Sequence, residues 1–435
     1  MIMRQVWLRS RITETRGRHP HAGKVMKMIT CGIDIGKGRH AAAILDDRGH
    51  ELGKARFYDN TREGAESLLK ALSRFATPRD TRVGMESTGC YWRAFRDVLV
   101  KAGCQVDVIN PIVTKAASSG DIRGRKSDKC DALVIANVVF AGNYTAKLSE
   151  STKERRLKAL TRHRGFMVRE RTAFKVHAVN LLDEAFPEAE TLFDDLFGLF
   201  ATELLSKYPT ARSLARARIS TVARIVRAHT RGKDAEAEAR KLVGAAQSSL
   251  GVDCEISEDL GKCIVSSLES IEKLNKGIAA IEKEIEDFEN PEMAKLMMPI
   301  KGTGTLLPKV IAAEYGDLSR FERNPKTGSP RDMHKRLLAY AGCDPRIQES
   351  GKWKGKAFIS RRGPGQLRTA LYLVGNGIRL WDPYFKSVYD AKIAQKKHHN
   401  VAIFYVVAKL LEIVCSLYRS GRTYSIQKPS VTDLR

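Results

Sequence analysis

From Met28 onward, short apolar runs alternate with polar turns. Ile29–Asp34, His40–Leu45 and Glu51–Phe57 each have strand length and are separated by Gly, Asp and Lys, which predicts three strands in a meander. Helical spacing over Thr61–Phe75 leads to a strand at Arg82–Glu86, a helix at Tyr91–Ala102, a strand at Gln105–Ile109 and a helix starting near Ser127. The predicted order is βββαβαβα. Past residue 150 the pattern turns helical. Ile271, Leu274, Ile278, Ile281, Ile285 and Phe288 alternate spacings of three and four with Glu and Lys between them, which is an a/d seam. A seam this short suits either a helix packed inside the protein or, the reading favoured here, a pairing of subunits; Pro291 ends it. Pro299 to Gly304 then leads into a helical stretch up to Tyr315, and its glycines either present N–H groups to a phosphate or simply turn the chain. Helical patterns resume after Arg368 and continue through Tyr418.

Charge narrows the partners. With 75 Lys+Arg against 50 Asp+Glu in 435 residues, the formal charge is +25, which favours a polyanion through counterion release. Nucleic acid leads, although ribosomal and membrane-surface proteins are equally basic. The apolar stretch Val406–Tyr418 is broken by Lys409 and Glu412 and is too short to span a bilayer, and residues 1–27 lack an apolar signal core. The expectation is a cytoplasmic protein without a membrane partner. Eight cysteines form no C-x-x-C pair, so buried, reduced thiols are expected.

Two basic segments stand out. Lys153–Lys175 carries nine Lys/Arg against two Glu and either lies along phosphates or is a solvated helix face. Ser350–Arg368 has six Lys/Arg and no acid, with Trp353 and Phe358 interleaved. The candidate nucleic-acid contacts are Lys126, Arg162, Arg164, Lys352, Lys354, Lys356, Arg361, Arg362 and Arg368.

The acids carry the candidate chemistry. Asp34 closes the first predicted strand and Glu86 the fourth; if those strands are parallel, both carboxylates sit at one sheet edge. Asp128 and Asp131 lie three apart at a helix start, hence on one face. Each acid alone reads as a turn, cap or surface residue. Four converging carboxylates repel one another unless a hard cation neutralises them, and oxygen-only ligands suit Mg²⁺ or Mn²⁺, which can clamp both oxygens of a phosphodiester exchange. The element order is that of ribonuclease-H-like nuclease folds, although other α/β domains share it.

These residues resemble the DEDD-type insertion-sequence transposases. The matching motifs are Ile33-Asp34-Ile35-Gly36-Lys37, Glu86-Ser87-Thr88-Gly89-Cys90-Tyr91, Ile109-Asn110-Pro111 and Lys126-Ser127-Asp128-Lys129-Cys130-Asp131-Ala132. Further on come Pro299 to Gly304, Ala339-Tyr340-Ala341-Gly342-Cys343-Asp344-Pro345, Glu349-Ser350-Gly351 and Leu367-Arg368-Thr369-Ala370-Leu371-Tyr372. The resemblance implies an α/β plus α protein with an RNase-H/RuvC-like N-terminal domain, a helical and coiled-coil middle and a mainly helical C-terminal transposase domain. It implies a Mg²⁺ site at Asp34, Glu86, Asp128 and Asp131, Ser350 as the nucleophile, DNA as substrate and a structured non-coding RNA as guide. The expected layout is a basic extension at 1–27, the catalytic domain at 28–150, a helical insert at 151–262, a coiled-coil helix at 263–290, the serine-bearing domain at 291–420 and a tail at 421–435. A homo-oligomer is expected, a dimer or a tetramer in the synaptic complex. Two other classes stay open: a metal-dependent junction nuclease that needs the acids but not Ser350, and a non-catalytic nucleic-acid binder.

Overall fold

The computed structural model describes residues 28–87, 89–109, 111–118, 127–142, 144, 151–230, 234–322, 332–346, 349–350, 353–354 and 358–425, in two compact units divided after Ser149.

The first unit is a five-stranded sheet. β1 (Ile29–Asp34), β2 (Arg39–Leu45) and β3 (Arg56–Asp59) form the meander, followed by α1 (Arg62–Leu72), β4 (Thr81–Glu86), α2 (Trp92–Lys101), β5 (Gln105–Ile109), α3 (Pro111–Ser118) and α4 (Asp128–Ala141). The strand order is β3-β2-β1-β4-β5, antiparallel among the first three and parallel across β1, β4 and β5. β1 is buried on both faces, with Ile29, Cys31 and Ile33 inaccessible to solvent on one and Thr30 and Gly32 buried on the other. The third strand begins later than expected. Glu51 makes an isolated antiparallel bridge to Leu45 and the Leu52 N–H bonds to Ile44, but Gly53 at φ +82 interrupts the pairing, so the continuous strand starts only at Arg56. α3 is an element the spacing did not predict, although Pro111 at its first position is the usual mark of a helix start.

The second unit is helical. α5 (Thr152–Ala185) opens it, and α6 (Ala189–Leu192), α7 (Leu199–Lys207), α8 (Ala211–Ala215), α9 (Ile219–His229) and α10 (Ala235–Gln247) build a small core around Leu204, Leu214, Val226 and Leu242. Next come α11 (Ser257–Glu286), α12 (Glu292–Met297), α13 (Leu306–Tyr315) and α14 (Met333–Tyr340). Four two-residue strands, β6 (Pro345–Arg346), β7 (Glu349–Ser350), β8 (Trp353–Lys354) and β9 (Phe358–Ile359), precede α15 (Gly365–Trp381), α16 (Pro383–Ala394) and α17 (His399–Ser420).

The a/d seam lies in α11, and its partner belongs to the same chain. Lys153 pairs with Glu289 at 3.2 Å, Arg164 with Glu282 at 2.6 Å and Arg171 with Asn275 at 2.9 Å, so α5 and α11 run antiparallel along each other. Ile271, Ile278 and Ile285 are buried, while Leu274, Ile281 and Phe288 are half-buried. Of the two readings of this seam, packing inside the chain accounts for the buried row, while Leu274, Ile281 and Phe288 stay partly exposed. Lys309 closes the end of α11 by donating to the carbonyls of Ile285, Glu286 and Phe288 at 2.7–2.8 Å.

Of the two readings of the glycines before α13, the turn is the one observed: Gly302 and Gly377 cross backbone to backbone, since a Cβ at Gly377 would stand 2.4 Å from the Gly302 carbonyl, and Gly304 takes φ +65. Two further expectations change. The apolar run near the C-terminus belongs to the 22-residue α17, long and apolar enough by length and composition to cross a membrane. Its buried face, including Val406, Leu410 and Val414, instead fills the core shared with α13, α14 and α15. Finally, only Cys31, Cys104, Cys343 and Cys415 are buried, whereas Cys90, Cys130 and Cys263 are exposed.

Candidate active site

β1 and β4 are parallel neighbours, with Ile33 opposite Met85, so Asp34 and Glu86 end adjacent strands at the same sheet edge. Ser127 caps α4, accepting from the Cys130 N–H at 3.3 Å, and places Asp128 and Asp131 in its first turn, where the helix dipole favours acids. Gly32 brings the helix to the strand. A Cβ there would stand 2.1 Å from the Ala136 nitrogen and 2.3 Å from the Ala132 oxygen, so only glycine lets α4 lie directly on β1. Ala132 follows Asp131, and the acidic turn is thereby held near Asp34. On the far side, Glu86 accepts a hydrogen bond from the Thr114 hydroxyl of α3. Sequence reasoning missed Gly32 and Thr114, because both act through contacts between elements.

The four carboxylates share one field. Burial first, then the charges of Asp131, Asp128 and Glu86, push the pKa of Asp34 up to about 6, against the Ile35 N–H that favours its ionised form. Among the described residues, no three acid, His or Cys side chains already stand as a closed metal-ligand set. The donor chemistry nevertheless fits a hard divalent cation, being all oxygen and mutually repelling.

The basic candidates separate into engaged and free. Arg162 forms a two-pronged pair with Glu314 at 2.7 and 2.9 Å, and Glu314 is inaccessible to solvent on α13; Lys158 stands 3.9 Å from the same carboxylate. Arg164 is bound to Glu282. Both arginines therefore hold ion pairs within the fold, a structural role that their expected one on nucleic acid did not include. Arg162→Ala is expected to cost about 3 kcal/mol in urea unfolding, because it strips a buried carboxylate of its main partner. An unchanged unfolding midpoint with weakened DNA binding would restore the original assignment. Arg368 donates to the Ala341 carbonyl at 3.1 Å, whereas Arg361 and Arg362 are exposed. Lys126, Lys352 and Lys356 lie outside the described residues.

Ser350 ends β7 and is registered with Trp353 on β8, with Glu349 opposite Lys354. β6 and β9 pair at the base, Pro345 with Ile359 and Arg346 with Phe358. The base is fixed by close backbone packing, since a Cβ at Gly363 would stand 2.2 Å from the Tyr340 oxygen.

Comparison with known proteins bears on both units. An IS110-type DEDD family model described as "Transposase" matches residues 31–187, and a second, described as "Transposase IS116/IS110/IS902 family", matches residues 294–390. An uncharacterized protein of insertion element IS116 from Streptomyces clavuligerus is 24% identical over 405 residues, covering 92% of this chain and 97% of its own. The IS117 mini-circle protein of Streptomyces coelicolor is 26% identical, covering 77% and 80%, and an uncharacterized IS900 protein of Mycobacterium paratuberculosis is 23% identical, covering 91% and 97%. A mixed sheet bearing strand-end acids, followed by a helical unit with the second match, defines a transposase, an enzyme that acts on DNA. The chain belongs to the IS110 family of insertion-sequence transposases.

Proposed function

We propose that this transposase cuts and rejoins DNA through a divalent-metal carboxylate site at Asp34, Glu86, Asp128 and Asp131 and a serine nucleophile, Ser350, with a structured RNA as guide. The observation that carries the first part is the convergence of three elements: parallel strand ends bearing Asp34 and Glu86, and an α4 first turn held to them at Gly32. The sheet order β3-β2-β1-β4-β5 supports a ribonuclease-H-like, RuvC-type reading. Mg²⁺ or Mn²⁺ would be held by the four acids and would supply charge neutralisation at the reacting phosphate.

The protein's own groups divide the remaining work. Thr114 orients Glu86, and the α4 cap holds Asp128 and Asp131 toward the sheet edge. Ser350 Oγ gives up its proton as it bonds to phosphorus; one P–O bond to deoxyribose breaks, and the departing oxygen takes up a proton as a hydroxyl. The phosphoserine ester conserves the bond energy, so a DNA hydroxyl attacking it rejoins strands without ATP. Chelation tests the metal part: EDTA should abolish strand cleavage, and Mg²⁺ or Mn²⁺ should restore it. Undiminished cleavage in EDTA would rule the carboxylate site out of the chemistry.

A further inference from the structure

We propose that the turn joining α16 to α17, around Lys396 and Lys397, is a contact surface for the phosphate backbone of duplex DNA. It lies beyond residue 390, where the second family match ends, and it requires neither the carboxylates nor Ser350.

Three observations carry this. The first is charge without compensation. From Arg361 to Lys397 the chain has eight Lys/Arg and two acids, and one of these, Asp382, is buried, capping α16 and accepting from the Tyr424 hydroxyl at 2.8 Å. Residues 393–398 are all exposed, and among the described residues no carboxylate lies within ion-pair distance of Lys396 or Lys397. This contrasts with Arg162 and Arg164, each of which is paired with a carboxylate of the same chain.

The second observation is backbone strain at a cation. Lys396 has φ +58, its N–H reaches the Ile393 carbonyl at 2.8 Å, and the Lys397 N–H reaches Lys392 at 3.1 Å, a left-handed closure of the helix end. Glycine is the residue such positions favour. This chain follows that preference after α4, α13, α14 and α17, where Gly142, Gly316, Gly342 and Gly421 all have φ between +65 and +70. At the end of α16 it keeps a lysine against the local preference, and that lysine is exposed with no ion-pair partner among the described residues.

The third observation is the setting. The two lysines run directly into the N-terminus of α17, whose dipole suits an anion, although His398 already takes the N–H groups of Asn400 at 3.2 Å and of Val401 and Ala402 at 2.9 and 3.0 Å. Behind the turn, the Tyr389 hydroxyl meets His399 Nδ1 at 2.8 Å, and Arg379 lies 4.5 Å over the Tyr389 ring. The Lys392 ammonium lies 4.7 Å over Tyr405. These rings already carry cations, so they do not offer the free stacking platform that single strands use. What remains on offer is exposed positive charge, the equipment of sequence-independent backbone contact on a duplex.

The test is fluorescence anisotropy of a labelled DNA duplex with the full-length protein in EDTA, repeated across salt concentrations. The Lys396→Gly/Lys397→Ala variant should reduce the slope of log K against log salt by about 2, since each lost phosphate contact removes about 0.9. Lys396→Gly alone should reduce it by about 1 while its Tm equals or exceeds that of the wild type, because glycine relieves the left-handed backbone. Lys396→Arg should keep the slope, and so should Lys276→Ala, which removes a lysine already paired with Glu272 at 2.6 Å. An unchanged slope in the double variant overturns the proposal. So does a slope change seen only with a structured RNA, which would make this an RNA surface, or a loss in Lys396→Gly that comes with a lowered Tm.

Discussion

Asp128→Ala is expected to slow strand cleavage by at least about a hundredfold, about 3 kcal/mol of barrier, while leaving the fold intact. Asp128 sits in the exposed first turn of α4 and makes no contact on which the core depends. Its removal forfeits a favourable helix-dipole term of about 0.5 kcal/mol but also relieves repulsion with Asp34. The two offset, so the unfolding midpoint should stay close to that of the wild type. The same variant has a readout independent of activity. Asp128 is one of three charges that raise the pKa of Asp34, so that pKa should fall back from about 6 toward the ordinary carboxylate range in an NMR titration of the metal-free protein. Normal cleavage by the variant would remove Asp128 from the site.

Ser350→Ala should abolish covalent capture of DNA and strand exchange outright, a larger effect than any loss of a metal ligand, because no other hydroxyl takes over the ester. Alanine can occupy an extended β7 position, where Ser350 is in antiparallel register with Trp353. The cations that neutralise phosphates remain, so DNA affinity and its salt dependence should be unchanged. This variant also separates the three functional classes. A junction nuclease would still cleave and release free ends, and a mere binder would show no difference from the wild type.

Much of the first unit was legible because its strands are short and either fully or alternately apolar; β1 and β5 fall at their expected bounds, Ile29–Asp34 and Gln105–Ile109. The start of the edge strand was misplaced because Glu51–Phe57 has strand-like composition, and the left-handed Gly53 that breaks it after the Leu45–Glu51 bridge does not show in the apolar pattern. The Asp128 and Asp131 spacing was legible from helical periodicity. The contact that brings them to Asp34 was not, since a glycine in a strand does not announce which helix will press on it. The α11 seam was read correctly as an apolar stripe, but α5 as the helix that packs on it was not legible. Period alone cannot distinguish a neighbouring subunit from α5, more than a hundred residues earlier in the same chain. For the same reason Arg162 and Arg164 looked free, because Glu314 and Glu282 are distant in sequence.

The most direct test of the central claim is the product that a serine recombinase must form on the way. Wild-type protein incubated with insertion-end DNA and Mg²⁺ should give a protein–DNA adduct that survives SDS, and mass spectrometry should map the attached phosphate to Ser350. The adduct should be absent in EDTA, in Asp128→Ala and in Ser350→Ala. An adduct on a different residue, or Ser350→Ala protein that recombines DNA at the wild-type rate, would contradict the account.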